Sequence, residues 1–131
     1  MTYWFTSDTH FGHANIIKYS KRPFANVDEM NEALIANWNA VVKPTDIVWH
    51  LGDVGFMPDA KLEAILVRLN GRKNLIFGNH DKSLRKNKGL LGRCFESWQE
   101  KKYLNVVHSL GEQYIHMDHF PALVWDKGHH G

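Results

Sequence analysis

Residues 73–81, KNLIFGNHD, begin as a β-prone run and break abruptly into Gly78, Asn79, His80 and Asp81. A short run ending in Leu75, Ile76 and Phe77 and followed by polar turn residues reads as a strand over 73–77 whose C-terminal end carries chemistry. The same transition occurs twice upstream. Residues 46–51, DIVWHL, lead into Gly52 and Asp53, and residues 2–6, TYWFT, lead into Ser7, Asp8, Thr9 and His10. Between these runs lie two helical patterns. One spans 26 to about 42, with Val27, Met30, Leu34, Trp38 and Val41 at three-to-four spacing, Asn26 and Glu29 as a capping box, and Pro44 past its end. The other spans 59–70, with Leu62, Ile65, Leu66 and Leu69 as its stripe and Gly71 as its stop. Strand, helix, strand, helix, strand predicts parallel strands, with helices on both faces to cover them. Residues 102–107 and 113–117 predict a hairpin across 109–111, which makes the expected sheet mixed. Residues 82–97 give no clear element.

In parallel α/β sheets ligands bind beyond the carboxyl ends of the strands. Three neighbouring strands therefore bring Asp8, His10, Asp53, Asn79 and His80 to one rim. His119, just after the last run and just before Phe120–Pro121, is a further candidate. These are oxygen and nitrogen donors without a thiolate, which suit Mn²⁺, Zn²⁺, Fe or Ni²⁺. A carboxylate has two oxygens, and Asp53 on the middle strand is placed to bridge two cations. Asp8 and His10 then hold one ion, and Asn79 and His119 the other. Such a pair, roughly 3.5–4 Å apart, clamps a phosphate for in-line displacement.

Asp8-Thr9-His10, Gly52-Asp53, Gly78-Asn79-His80-Asp81 and His119 resemble, in order, the first four motifs of the calcineurin-like metallophosphoesterases. The opening FTSDTHFGHANIIKYSKRPF, residues 5–24, is similar to a small bacterial and phage branch of that family. The resemblance runs from residue 3 to the end of the chain and implies a layered α/β sandwich. It also implies hydrolysis of a phosphate ester, a phosphodiester or nucleotide-like small molecule, by two divalent metal ions, with Mn²⁺ favoured. His80, which is not a ligand in the family, is implied to protonate the leaving alkoxide or stabilise its charge. Asp81 either orients the His80 imidazole or starts the next helix. The family's later Gly-His-x-His motif, one ligand for each ion, is absent, and Gly128-His129-His130-Gly131 does not match it. The expectation is a single domain over 1–131, incomplete at its C-terminus, with the last sheet edge missing and open to homodimer formation.

Composition narrows the alternatives. At 131 residues, 44% hydrophobic and 23% charged, the chain is of one-domain, globular character. Cys94 alone excludes an internal disulfide or a Cys-rich zinc module. No apolar stretch approaches the roughly 20 residues of a membrane span. The start, MTYWFTSD, lacks a signal-peptide pattern, so a cytoplasmic location is expected. A net charge of +2 argues for neither nucleic acid nor membrane. The basic residues Lys82, Arg85, Lys86, Lys88 and Arg93 attract phosphate or form a solvated face. The five tryptophans form no stacking platform, which disfavours a nuclease. His13 is read as a phosphate contact or a turn residue, and His50 as a packed core residue. A non-catalytic metal- or phosphate-binding domain is the rival from another class.

Overall fold

The computed structural model describes residues 1–121. Its frame is a four-stranded parallel sheet in the order β1 (Tyr3–Thr6), β2 (Ile47–His50), β3 (Arg72–Ile76) and β4 (Ser97–Gln99). The register sets Thr6 beside His50 and His50 beside Leu75, so the first three strands end level with one another. The segments that follow them leave the sheet at one edge, as the alternation predicts.

Side chains alternate across this sheet because the strand period is two. Val48, Leu75 and Phe77 are buried on one side. Leu75 and Phe77 join Ile35, Leu62, Leu66, Leu90 and Leu91 in the larger core, under α2 (Val27–Val41), α3 (Asp59–Leu66) and α5 (Lys88–Cys94). Trp49 and Ile76 face the other way and pack on Met117, with Leu104 and Ile115 beside them. Those last residues belong to the hairpin of β5 (Lys101–His108) and β6 (Gly111–Asp118), a separate antiparallel ladder. The layers are therefore helices, parallel sheet and hairpin. Among the described residues the second face is covered by the hairpin and not by helices, which corrects the expectation of helices on both sides. An alternating hairpin has one apolar face to offer, and Leu104, Ile115 and Met117 supply it.

Local signals explain most boundaries. Asn26 accepts the Glu29 amide at 2.8 Å, and Glu29 reaches back to the Ala25 amide at 2.7 Å, which caps α2. The pattern read over 59–70 is helical only to Leu66; it then tightens into a turn through Arg68 N to Ile65 O and Leu69 N to Leu66 O. Gly71 (φ +100°) completes the reversal, where a Cβ would meet Val42 and Val48 at 2.9 Å. Asp46 ties the start of β2 to β1. Its carboxylate accepts from the Lys43 amide, the Trp4 indole and the Thr2 amide, which pull its pKa down to about 2. Three short elements, α1 (Ala14–Tyr19), α4 (Lys82–Lys86) and β4, and the seven-residue α5 were not legible in the sequence.

Candidate metal centre

The segments leaving β1 and β2 are stitched together by backbone bonds. Asp8 N donates to Gly52 O (2.9 Å), His10 N to Asp53 O (3.2 Å) and Phe11 N to Val54 O (3.0 Å). This stitching imposes an unusual backbone. Asp8, His10 and Asp53 have φ of +55°, +51° and +56°, and the fourth non-glycine with positive φ among the described residues is Lys21. Left-handed conformations at non-glycine residues are uncommon and concentrate at functional sites. Arg22 holds the first of these turns: its guanidinium donates to Asp8 O (2.7 Å) and Thr9 O (2.8 Å).

Asp81 holds the other two loops. Its carboxylate, 1% exposed, accepts from Gly78 N (2.7 Å), Asp53 N (2.8 Å) and Val54 N (3.0 Å). These bonds go to backbone amides and not to the His80 ring, so the carboxylate serves the loops; the residue itself stands at the start of α4. An asparagine offers one oxygen and would turn an N–H toward a backbone N–H. Asp81→Asn is expected to cost about 2–3 kcal/mol of stability, from unsatisfied buried donors. Thermal melting checks this, and an unchanged midpoint would refute the bracket.

Held in this way, Asp8, His10 and Asp53 present ligand atoms that all lie within 4.8 Å of one another. His10 Nε2 is 3.6 Å from Asp8 Oδ1 and 3.7 Å from Asp53 Oδ2, and His119 Nε2 is 3.6 Å from the same Asp53 Oδ2. These separations are too long for hydrogen bonds. They suit a shared cation, since donors at about 2.1 Å from an ion at a tetrahedral angle lie about 3.4 Å apart. His119 Nδ1 donates to the Leu51 carbonyl (2.7 Å), which leaves Nε2 bare. Nε2 then faces the Asn79 side-chain amide at 2.9 Å. The residues fit a divalent metal site.

Electrostatics agree. Burial lowers the pKa of His10 despite Asp53 and Asp8 pulling the other way, so the ring is neutral at neutral pH, the form that ligates metals. Burial tends to raise Asp8, but the Ser7 hydroxyl, His119 and His10 outweigh it and hold the carboxyl below its usual range. There is no room at the loop crossings for side chains. A Cβ on Gly52 would sit 2.5 Å from Gly78 N and 2.8 Å from His119 Nδ1, and one on Gly78 would strike the Asp53 carboxylate.

Thus Asp8, His10, Asp53, Asn79, His80 and His119 do converge, with the His80 amide donating to Asp53 Oδ1 at 3.0 Å. His108 and His116 lie in the hairpin, and His129 and His130 lie outside the described residues. Of the basic stretch, Arg85 pairs with Glu100 and covers the Phe77 ring, and Arg93 pairs with Glu63. Sequence reading missed Arg22, whose signal is faint: it follows Lys21 in a segment assigned to no helix or strand. It also missed Phe56, whose ring lies 4.3 Å from that of His13 and 4.7 Å from that of His80.

His50 is the buried support expected of it, with a fixed tautomer. Gly52 N donates to Nδ1 (3.1 Å), Nε2 therefore donates to Thr9 Oγ1 (3.0 Å), and Thr9 donates to Val54 O (2.7 Å). Burial lowers its pKa to about 4. The unfolded chain, at about 6.5, takes the proton first, so stability is full above that pH and is lost as pH falls from about 6.5 to about 4. The loss amounts to about 3 kcal/mol across the window. Urea midpoints of chelator-treated protein at pH 7.5 and pH 5 should therefore differ, and His50→Gln should reduce the difference. Parallel profiles for the two proteins would refute the assignment.

A parallel sheet with oxygen and imidazole donors gathered at its carboxyl edge defines a metal-site α/β protein. The chain belongs to the calcineurin-like phosphoesterase family, whose model matches residues 1–128. It is similar to an uncharacterized protein of Methanocaldococcus jannaschii, 56% identical over 78 residues, covering 58% of this chain and 44% of that protein. The Gene 66 protein of Mycobacterium phage D29 is 34% identical over 130 residues, covering 90% of this chain and 63% of the phage protein. A solved structure of a protein of unknown function from Aquifex aeolicus matches with a TM-score of 0.61 at 33% identity, over 84% of this chain and 56% of that one. The chain spans less than two thirds of the length of each of these relatives. The phage relative agrees with the branch that residues 5–24 resemble. The family is one of metal-dependent phosphoesterases, and no helix among the described residues is long and apolar enough to cross a membrane.

Proposed function

We propose that this protein hydrolyses a phosphate ester, of the phosphodiester or nucleotide-like kind, at two divalent cations, with Mn²⁺ favoured. The observation that carries the reading is the position of Asp53 Oδ2, within 3.7 Å of the Nε2 atoms of both His10 and His119. Asp8 and His10 would hold one ion and Asn79 and His119 the other, with Asp53 between them. Divalent cations held there would lower the pKa of a coordinated water toward neutral and offset charge on the phosphate.

The chain's own residues do the rest. Asp81 and Arg22 fix the loops so that the donors need no rearrangement on loading, and preorganised charge of this kind lowers the barrier. His80, exposed at the rim with its amide on Asp53, gives a proton to the leaving alkoxide through its ring.

The test is turnover of bis-p-nitrophenyl phosphate. Chelator-stripped protein should be inactive, and Mn²⁺ should restore release of nitrophenol. Absence of turnover with metal bound would favour the non-catalytic binding domain.

A further inference from the structure

His10 is held by a second histidine. Residues 10–13 form one turn, in which His13 N donates to His10 O at 3.0 Å. Gly12 turns the chain at φ +75°, and its amide donates to Asn31 Oδ1 on α2 at 2.9 Å. The turn sets the His13 ring edge to edge with the His10 ring, centroids 5.2 Å apart and planes 22° apart. The two Nδ1 atoms meet at 3.0 Å. Phe56 packs on both rings, at 4.3 Å from His13 and 5.4 Å from His10, and holds the pair from the side.

A contact between two imidazole nitrogens requires that one carry the proton and the other accept it. We propose that His13 is a positioning residue for the metal site, accepting the Nδ1 proton of His10 and thereby keeping His10 Nε2 bare toward Asp8 and Asp53. This rests on the metal reading given above. The tautomers then follow in order. His10 is protonated on Nδ1, His13 is bare on Nδ1, and His13 carries its proton on Nε2. A donated hydrogen bond from the remote nitrogen orients an imidazole and strengthens it as a ligand.

The other site is built differently. His119 Nδ1 donates to the Leu51 carbonyl, which can only accept, so its tautomer is fixed by the backbone. His10 faces a ring that can accept or donate. The two histidines that face Asp53 Oδ2 are thus unequal: one is set by the backbone, the other by a side chain that a single substitution removes.

The experiment measures Zn²⁺ affinity of the full chain by competition with a chelating dye, in native protein, His13→Phe and His13→Asn. Phenylalanine keeps a ring for packing but accepts nothing; asparagine keeps an acceptor near the Nδ1 position. His13→Phe should weaken one site by about 10–100-fold, the range for partners of ligating histidines, and His13→Asn should recover most of that loss. Native affinity in His13→Phe overturns the proposal. So does a loss in His13→Asn as large as in His13→Phe, since the ring would then act by packing alone. A readout that needs no variant is the long-range ¹H–¹⁵N histidine spectrum of the Zn²⁺-loaded native protein. It should show His10 protonated at Nδ1 and His13 at Nε2, and the reverse tautomer at His13 overturns the proposal even if metal binds. A native protein that binds no Zn²⁺ overturns the metal reading itself, and this inference with it.

Discussion

Replacing Asp53 by asparagine is expected to remove both cations at once. Asp53 Oδ2 is a carboxylate oxygen placed within 3.7 Å of both His10 Nε2 and His119 Nε2. In asparagine the atom there is either an amide nitrogen, which has no lone pair to give, or a neutral oxygen, which brings no charge to two adjacent cations. The loops need not collapse. Asp53's own amide still donates to Asp81, and one side-chain oxygen can still accept from the His80 amide. Loss of metal with retained fold is therefore the expected signature. Protein dialysed against chelator, refilled with Mn²⁺ and desalted would be assayed for metal by mass spectrometry. Native protein should hold two ions per chain and Asp53→Asn essentially none, with turnover falling to background. A mutant with unchanged stoichiometry would show that the bridge lies elsewhere. A mutant holding one ion would show that Asp53 serves a single site.

The rim was readable because it is written in two local signals together. Each of the first three strands is a short β-prone run, and each is followed at once by residues that prefer turns and carry donors. Parallel order then forces those ends to one edge. What could not be read depends on contacts between distant residues. The α4 and α5 helices run five and seven residues, too short for periodicity to declare them. The separation of the hairpin from the parallel sheet is decided by which ladder the edges find, not by the alternation within either strand. Asp81 sits beside His80 in sequence, which suggests that it serves that ring. In space its carboxylate turns back to three amides, two of them 27 and 28 residues earlier. His13 and Arg22 act through the carbonyls and ring nitrogens of the Asp8–His10 turn, and no spacing rule marks a residue whose target is a backbone oxygen. The left-handed conformations of Asp8, His10 and Asp53 were likewise invisible, because those residue types occur in any loop.

His80→Gln is expected to separate catalysis from metal holding. The backbone amide of His80, which glutamine retains, is the group that supports Asp53, at 3.0 Å from Oδ1. Its ring lies at the exposed rim, 6.2 Å from the His10 ring centroid and packed at 4.7 Å on Phe56. That position lets it reach a leaving group without occupying a ligand position. Glutamine is close in length and can still hydrogen-bond, but it cannot give up a proton near neutral pH. The metal content should therefore match native protein, while turnover of an alkyl phosphodiester should fall by roughly 10²–10⁴, the range for a general acid or base. A further comparison sharpens the assignment. Nitrophenolate is a good leaving group that needs little protonation, so the deficit should be larger for an alkyl ester, whose alkoxide leaves poorly without a proton. Equal deficits for the two esters would mean that the ring stabilises charge on the phosphate and not on the departing oxygen. Loss of metal together with activity would make His80 a ligand, and the role of proton donor would have to pass to another group at the rim.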